Sequence, residues 1–183
     1  MTTPRRQLIE SIQSEYARYK ALAEGAIAQV PDGALVASRG ETANSIATIC
    51  WHIAGNLRSR FTNFLTEDGE KPWRAREEEF DGRQVTRAEL LARWEDGWRP
   101  LVLALAELAD EDLDRTVTIR AQPLKVHEAL HRSLAHTSYH VGQVVLIAKE
   151  SRGDAWRSLS IPRGQSDAYN RTLAREQAGG HDR

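Results

Sequence analysis

The chain has 183 residues, 40% of them hydrophobic, and a formal net charge of −1. That length suits one domain with a sizeable core, and the balanced charge supplies no global basic field for nucleic acid. No run of about 18 apolar residues is present, so no transmembrane helix is expected. No apolar stretch follows the basic N-terminus, so no secretory leader is expected. Cys50 is the only cysteine, which excludes an intrachain disulfide and a cysteine-rich metal site. A cytoplasmic setting fits these features.

Four segments carry helical periodicity. The first runs from about Arg5 to Gln29, with Ile9, Ile12, Tyr16, Tyr19, Ala23 and Ala26 stepping by three and four. The second runs from about Ser45 to Leu65, with Ile46, Ile49, Ile53, Leu57 and Phe64 in its stripe and Asn44 or Ser45 as a cap. The third opens on the capping-box pattern Thr86-Arg87-Ala88-Glu89 and continues through Leu90, Trp94, Trp98, Leu101 and Leu105. Pro100 predicts a kink in it, or two shorter helices. The fourth runs from about Val126 to Glu150, with Leu130, Leu134, Thr137, Val141, Val144 and Ala148 on one side.

The connection from about Thr66 to Val85 is rich in charge, glycine and proline. Its length marks it as functional, or as a crossover that lets the second and third helices run parallel. Thr116–Ile119 and Leu124–Val126 suggest a small hairpin before the last helix. The tail after Gly153 reads as polar and irregular. The expected architecture is an all-α four-helix bundle in one domain, residues 1–183.

Four of the six histidines fall between His127 and His140. His136 and His140 share a helix face, and so do His127 and His131, because residues four apart are neighbours. The two pairs lie nine residues apart, about half a turn out of phase, so one metal cannot use all four. His136 and His140 flank the apolar stripe of the last helix, and His52 flanks that of the second. An i,i+4 pair plus one histidine from a neighbouring helix supplies three nitrogens on one side of a metal and leaves the other open, as in catalytic zinc sites. Asn56 and Gln143 lie on the same flanks and are candidates to support the ligands. Arg58, Arg60 and Arg163 are candidates to receive a substrate carboxylate. No acidic residue adjoins the three histidines on their own helices, so no general base is evident.

His127-Glu128-Ala129-Leu130-His131 matches the HExxH pattern of zinc metalloproteases. It ranks second to the first site. The extended metzincin form fails at Leu134, and no substantial sheet is expected to receive a substrate strand. The preferred reading of His127 and His131 is as surface residues near a helix start.

The run His136-Thr137-Ser138-Tyr139-His140-Val141-Gly142-Gln143 resembles the last core helix of the DinB-like superfamily of metalloenzymes. Ser45 to Asn56 resembles its second helix. The similarity continues through Asp68-Gly69-Glu70-Lys71-Pro72-Trp73 and Leu159 to Ser166, over roughly residues 5 to 172. The resemblance implies a four-helix bundle with a three-histidine site for zinc or nickel on His52, His136 and His140. It also implies thiol-dependent transferase or isomerase relatives. A small-molecule substrate, a low-molecular-weight thiol cofactor and a homodimer are therefore expected. A metal-dependent hydrolase and a non-catalytic metal-binding or dimeric binding module are the alternatives. The connection 66–85 and the tail around Arg163 are expected to close over the open metal face.

Overall fold

The structure, a computed structural model, describes residues 2–38, 40 and 42–179. It is mostly helical, with six α-helices and one two-stranded sheet among those residues. The helices are α1 (Pro4–Gln29), α2 (Asp32–Val36), α3 (Ile46–Phe61), α4 (Arg87–Glu107), α5 (Val126–Arg152) and α6 (Ser166–Gly179). Strands β1 (Thr116–Ile119) and β2 (Gln122–Lys125) form an antiparallel hairpin that leads into α5. None of the described helices is long and apolar enough to cross a membrane.

Side chains fix where the long helices start. Thr3 Oγ1 accepts from the Arg6 amide at 3.0 Å, and Ser45 Oγ from that of Thr48 at 3.1 Å. Thr86 and Glu89 form the expected capping box, each accepting from the other's backbone amide. The Lys125 amide donates to Glu128 at 2.7 Å, so Glu128 closes the first turn of α5.

The apolar stripes of α1, α3, α4 and α5 meet in one core with Trp94, Trp98 and Tyr16 at its centre. Helix α3 is buried on nearly every side, because it packs against α2, α4, α5 and the turn Glu77–Phe80. Small residues make this possible. A Cβ on Gly97 of α4 would lie 2.4 Å from Ala54 Cα, so the two helices cross in near backbone contact.

Several boundaries differ from expectation. Helix α3 stops at Phe61 instead of Leu65: Thr62 Oγ1 turns back to the Arg58 carbonyl, and Asn63 takes φ 51°. Helix α4 runs as one helix through Pro100. The tail is not irregular throughout, since α6 forms within it, with every side chain from Ser166 to Glu176 exposed. Helix α2 has too few residues to show a period. The second strand begins at Gln122, two residues before the expected Leu124.

The hairpin turn is unusual. Arg120 and Ala121 sit at φ 55° and 58°, the two left-handed positions that a type I′ turn requires and that Asn and Gly normally fill. Asp68 compensates, its carboxylate accepting from both turn amides at 2.9 and 2.8 Å. Burial opposes its ionisation, but these bonds and that from the Glu70 amide hold its pKa at about 2. Gly69 adds a bond from its amide to the Thr118 carbonyl, and Ser59 of α3 donates to the Gly69 carbonyl. The connection after α3 is thus tied to α3 on one side and to the hairpin on the other.

Gly97→Ala should destabilise the fold by about 1–3 kcal/mol, the usual cost of an overpacked contact, measured by urea denaturation. A neutral result would mean that α3 and α4 can separate freely at this crossing.

Candidate metal centre

Helices α3 and α5 bring His52, His136 and His140 together, and one ring nitrogen from each lies within 4.8 Å of the others. His52 is buried and the other two are half-buried. His52 Nε2 and His136 Nε2 are 3.2 Å apart. Two nitrogens on a tetrahedral zinc at about 2.0–2.1 Å would be roughly 3.3 Å apart, so the spacing fits a shared cation.

The outer nitrogens decide which way the lone pairs face. His52 Nδ1 meets Glu79 Oε2 at 2.9 Å, and a carboxylate only accepts, so His52 carries its proton on Nδ1 and bares Nε2. His140 Nδ1 meets the Gln143 amide oxygen at 2.8 Å, which bares its Nε2 in the same way. His136 Nδ1 is buried with no hydrogen-bond partner. Burial, and then the neighbouring His140 and His52, push the His136 pKa down to about 4. Burial also lowers that of His140, against the opposing Gln143 bond. Both rings are therefore neutral near pH 7, the state in which imidazole binds metal. The donor set fits a divalent ion with three nitrogen ligands.

Glu79 is the residue that sequence reasoning missed. It comes from the 3₁₀ turn Glu77–Phe80 in the long connection. Arg74 grips it with two bonds of 2.8 Å, Nε to Oε1 and Nη2 to Oε2. The Arg74 and Glu79 side chains are only 2% and 6% exposed, so the pair is withdrawn from water. Burial acts to raise the Glu79 pKa, but the Arg74 and then the His52 bonds outweigh it, and the carboxyl stays below its usual range. Gly55, one turn after His52, admits this carboxylate: a Cβ there would lie 2.1 Å from Glu79 Oε1. Phe80 of the same turn stacks at 4.6 Å from the His52 ring. A loop has no period, so composition alone could flag this segment.

Gln143 supports His140 as expected. Asn56 lines the cavity beside the histidines, but no hydrogen bond joins it to them among the described residues. The expected closure is half met. The connection 66–85 reaches the site through Arg74, Arg76 and Phe80, whereas no described residue of the tail lines the cavity. Trp156 and Leu159 pack toward α1 instead, and Gln29 exchanges two hydrogen bonds with the Arg157 backbone. Arg163 is exposed and Arg58 lies over Trp73, and neither lines the cavity, but Arg60 does. In the HExxH run, His127 Nδ1 donates to the Leu113 carbonyl at 2.9 Å, Glu128 caps α5, and His131 is exposed. These positions serve the helix start. Cys50 is buried, and burial pushes its thiol up to about 12, so it is no nucleophile near neutrality.

Residues 4–165 match a family described as a protein of unknown function, DUF1572. The chain belongs to that family. No curated protein matches it. The matched span runs from α1 past α5 and so contains all three histidines, Glu79 and Gln143.

Gly55→Ala should displace the Glu79 carboxylate and weaken divalent-metal binding by about 10–100-fold while the far-ultraviolet circular dichroism holds. Unchanged metal affinity would show that Glu79 does not orient His52. A pH dependence also follows for chelator-treated protein. An unfolded histidine takes up a proton near 6.5, whereas folded His136 resists until about 4. Between these values the unfolded state binds more protons, so stability falls as pH drops. The thermal midpoint should decline more steeply over pH 6.5 to 4 than it does in His136→Gln. Parallel profiles would refute the depressed pKa.

Proposed function

We propose that this protein is a metal-dependent enzyme that binds one divalent ion, zinc or nickel, on His52, His136 and His140. The observation that carries the reading is the convergence of three imidazoles, two with their lone pairs fixed by an outer hydrogen bond. The resemblance to the DinB-like superfamily supports it and favours a thiol-dependent transferase. On this reading α1, α3, α4 and α5 form that superfamily's four-helix bundle, the connection 62–86 is its crossover, and the active form is a homodimer.

A divalent ion held by three neutral ligands keeps its charge and lowers the pKa of a bound thiol or water. The chain's own residues do the rest. Glu79 holds the His52 proton on Nδ1, and Gln143 holds that of His140. Phe80 and Phe64 give the cavity aromatic walls, and Phe80 stacks on the His52 ring. Glu79 is no free base, because Arg74 and His52 occupy its oxygens. The cavity lining contains no carboxylate among the described residues. A reaction in which the ion itself yields the nucleophile suits such a site better than one needing a protein base.

The test starts with elemental analysis of purified protein. Alanine at His52, His136 or His140 should each lower bound metal at least about tenfold, and alanine at His127 or His131 should not. Full metal retention in His136→Ala would sink the assignment. Initial rates against thiol concentration at fixed electrophile then separate the activities. Saturation that requires both thiol and metal supports the transferase. A metal-dependent rate indifferent to thiol identifies a hydrolase. A filled site with no turnover on thiols or esters leaves a binding module.

A further inference from the structure

The cavity beside the histidines has a volume of about 300 Å³ and is electrically one-sided. Five arginines line it, Arg60, Arg74, Arg76, Arg120 and Arg132, and no aspartate or glutamate does. Behind the wall, Glu79 neutralises Arg74, and Glu70 is shared by Arg60 and Arg120. With Glu77 paired to Arg76, three carboxylates against five guanidiniums leave an excess of about two positive charges in a chain whose overall charge is −1.

The arginines differ in what they have left to give. Arg74 spends Nε and Nη2 on Glu79, and its side chain is buried. Arg60 bonds the Gly69 carbonyl, Ser59 and Glu70, and is 11% exposed. Arg120 spends only Nε, on Glu70 at 2.8 Å, and both terminal nitrogens are free of partners among the described residues. Arg132 has no hydrogen-bond partner or ion pair among the described residues, and it is exposed at the cavity wall. Arg76 leans over Phe80 and pairs with the solvent-exposed Glu77.

These groups are also ordered in space. On α3, His52, Asn56 and Arg60 follow at four-residue steps along one face, and on α5 so do His140, His136 and Arg132. All six line the cavity. Along α5, Arg132 lies about 6 Å from His136, and along α3, Arg60 lies about 12 Å from His52. The cavity thus has a histidine end and an arginine end, and the rings of Phe61 and Phe64 and the side chain of Ile119 give it an apolar lining. The hairpin turn that presents Arg120 is held in its left-handed conformation by Asp68, so the guanidinium is placed by a fixed scaffold.

We propose that the cavity selects small organic oxyanions, a carboxylate or phosphoryl group on an apolar body, and that Arg120 and Arg132 hold the charged head at the arginine end. The proposal deepens the metalloenzyme reading by naming its substrate class, and the site of the anion is independent of the ion. A guanidinium fork with free terminal nitrogens matches an oxyanion, and the aromatic lining of the cavity matches a hydrocarbon body.

Isothermal titration calorimetry at low ionic strength tests this with 3-phenylpropionate, phenylphosphonate and the uncharged 3-phenylpropanamide. The full chain is used, both metal-loaded and chelator-treated. The two anions should bind at least about tenfold more tightly than the amide, the factor expected for one charge-assisted contact. Arg120→Ala and Arg132→Ala should each weaken anion binding about five- to tenfold, with little change for the amide. The preference should persist in chelated protein and in His140→Ala. Anion binding without any metal uptake would sustain this proposal and end the metalloenzyme reading. Equal affinity for amide and anions overturns the proposal. So does anion binding that ignores both arginine variants and vanishes with the metal, or no binding of either anion at 10 mM or below, roughly the limit of a weak specific site.

Discussion

A carboxylate withdrawn from water must be met by charge or hydrogen bonds, and Glu79 is met by the guanidinium of Arg74 and by the Nδ1–H of His52. A buried ion pair is costly to desolvate, and its net contribution to stability is small or negative. Its consequence here is directional. It ties a turn of the long connection to α3, fixes the His52 tautomer and aims Nε2 at the other histidines. Gly55 is the steric condition for this arrangement, since any side chain there occupies the space of the Glu79 carboxylate.

The hairpin depends on a second carboxylate used in the same manner. Asp68 accepts from the amides of Arg120 and Ala121, two residues whose backbone lies in a region that non-glycine residues seldom adopt. The strain is offset where it arises, and Arg120 is set at the cavity wall. Glu70, two residues on, then binds the Arg120 and Arg60 side chains together. One short acidic stretch, Asp68 to Glu70, therefore builds much of an electropositive cavity by organising its arginines from behind.

The two helix pairs of the histidine motif divide cleanly by role. The pair His136 and His140 faces α3. The pair His127 and His131 lies half a turn away, where Glu128 caps the α5 start and His127 ties α5 to the Leu113 carbonyl. A pattern of three fixed positions is satisfied by helix capping as readily as by metal chemistry. The direction of the face, which periodicity gives, separates the two cases.

The long helices, the Thr86 capping box, the hairpin and the three histidines with Gln143 were legible in the sequence, because each rests on local periodicity or on spacing within one helix. The continuous course of α4 through Pro100 was not, since burial of Trp94, Trp98, Leu101 and Leu105 in a shared core outweighs one missing amide. Nor was α6, whose polar, exposed residues carry little apolar period. Arg60 and Arg132 stood in the sequence at helical spacing from the histidines, but their place on one cavity needed α3 and α5 to be set side by side. Glu79, Arg74, Phe80 and Arg120 come from loops, where no repeat relates residue number to direction. Tertiary contacts alone decided them: the chain fixes which helix faces carry chemistry, and only the packed fold fixes what the connections bring to those faces.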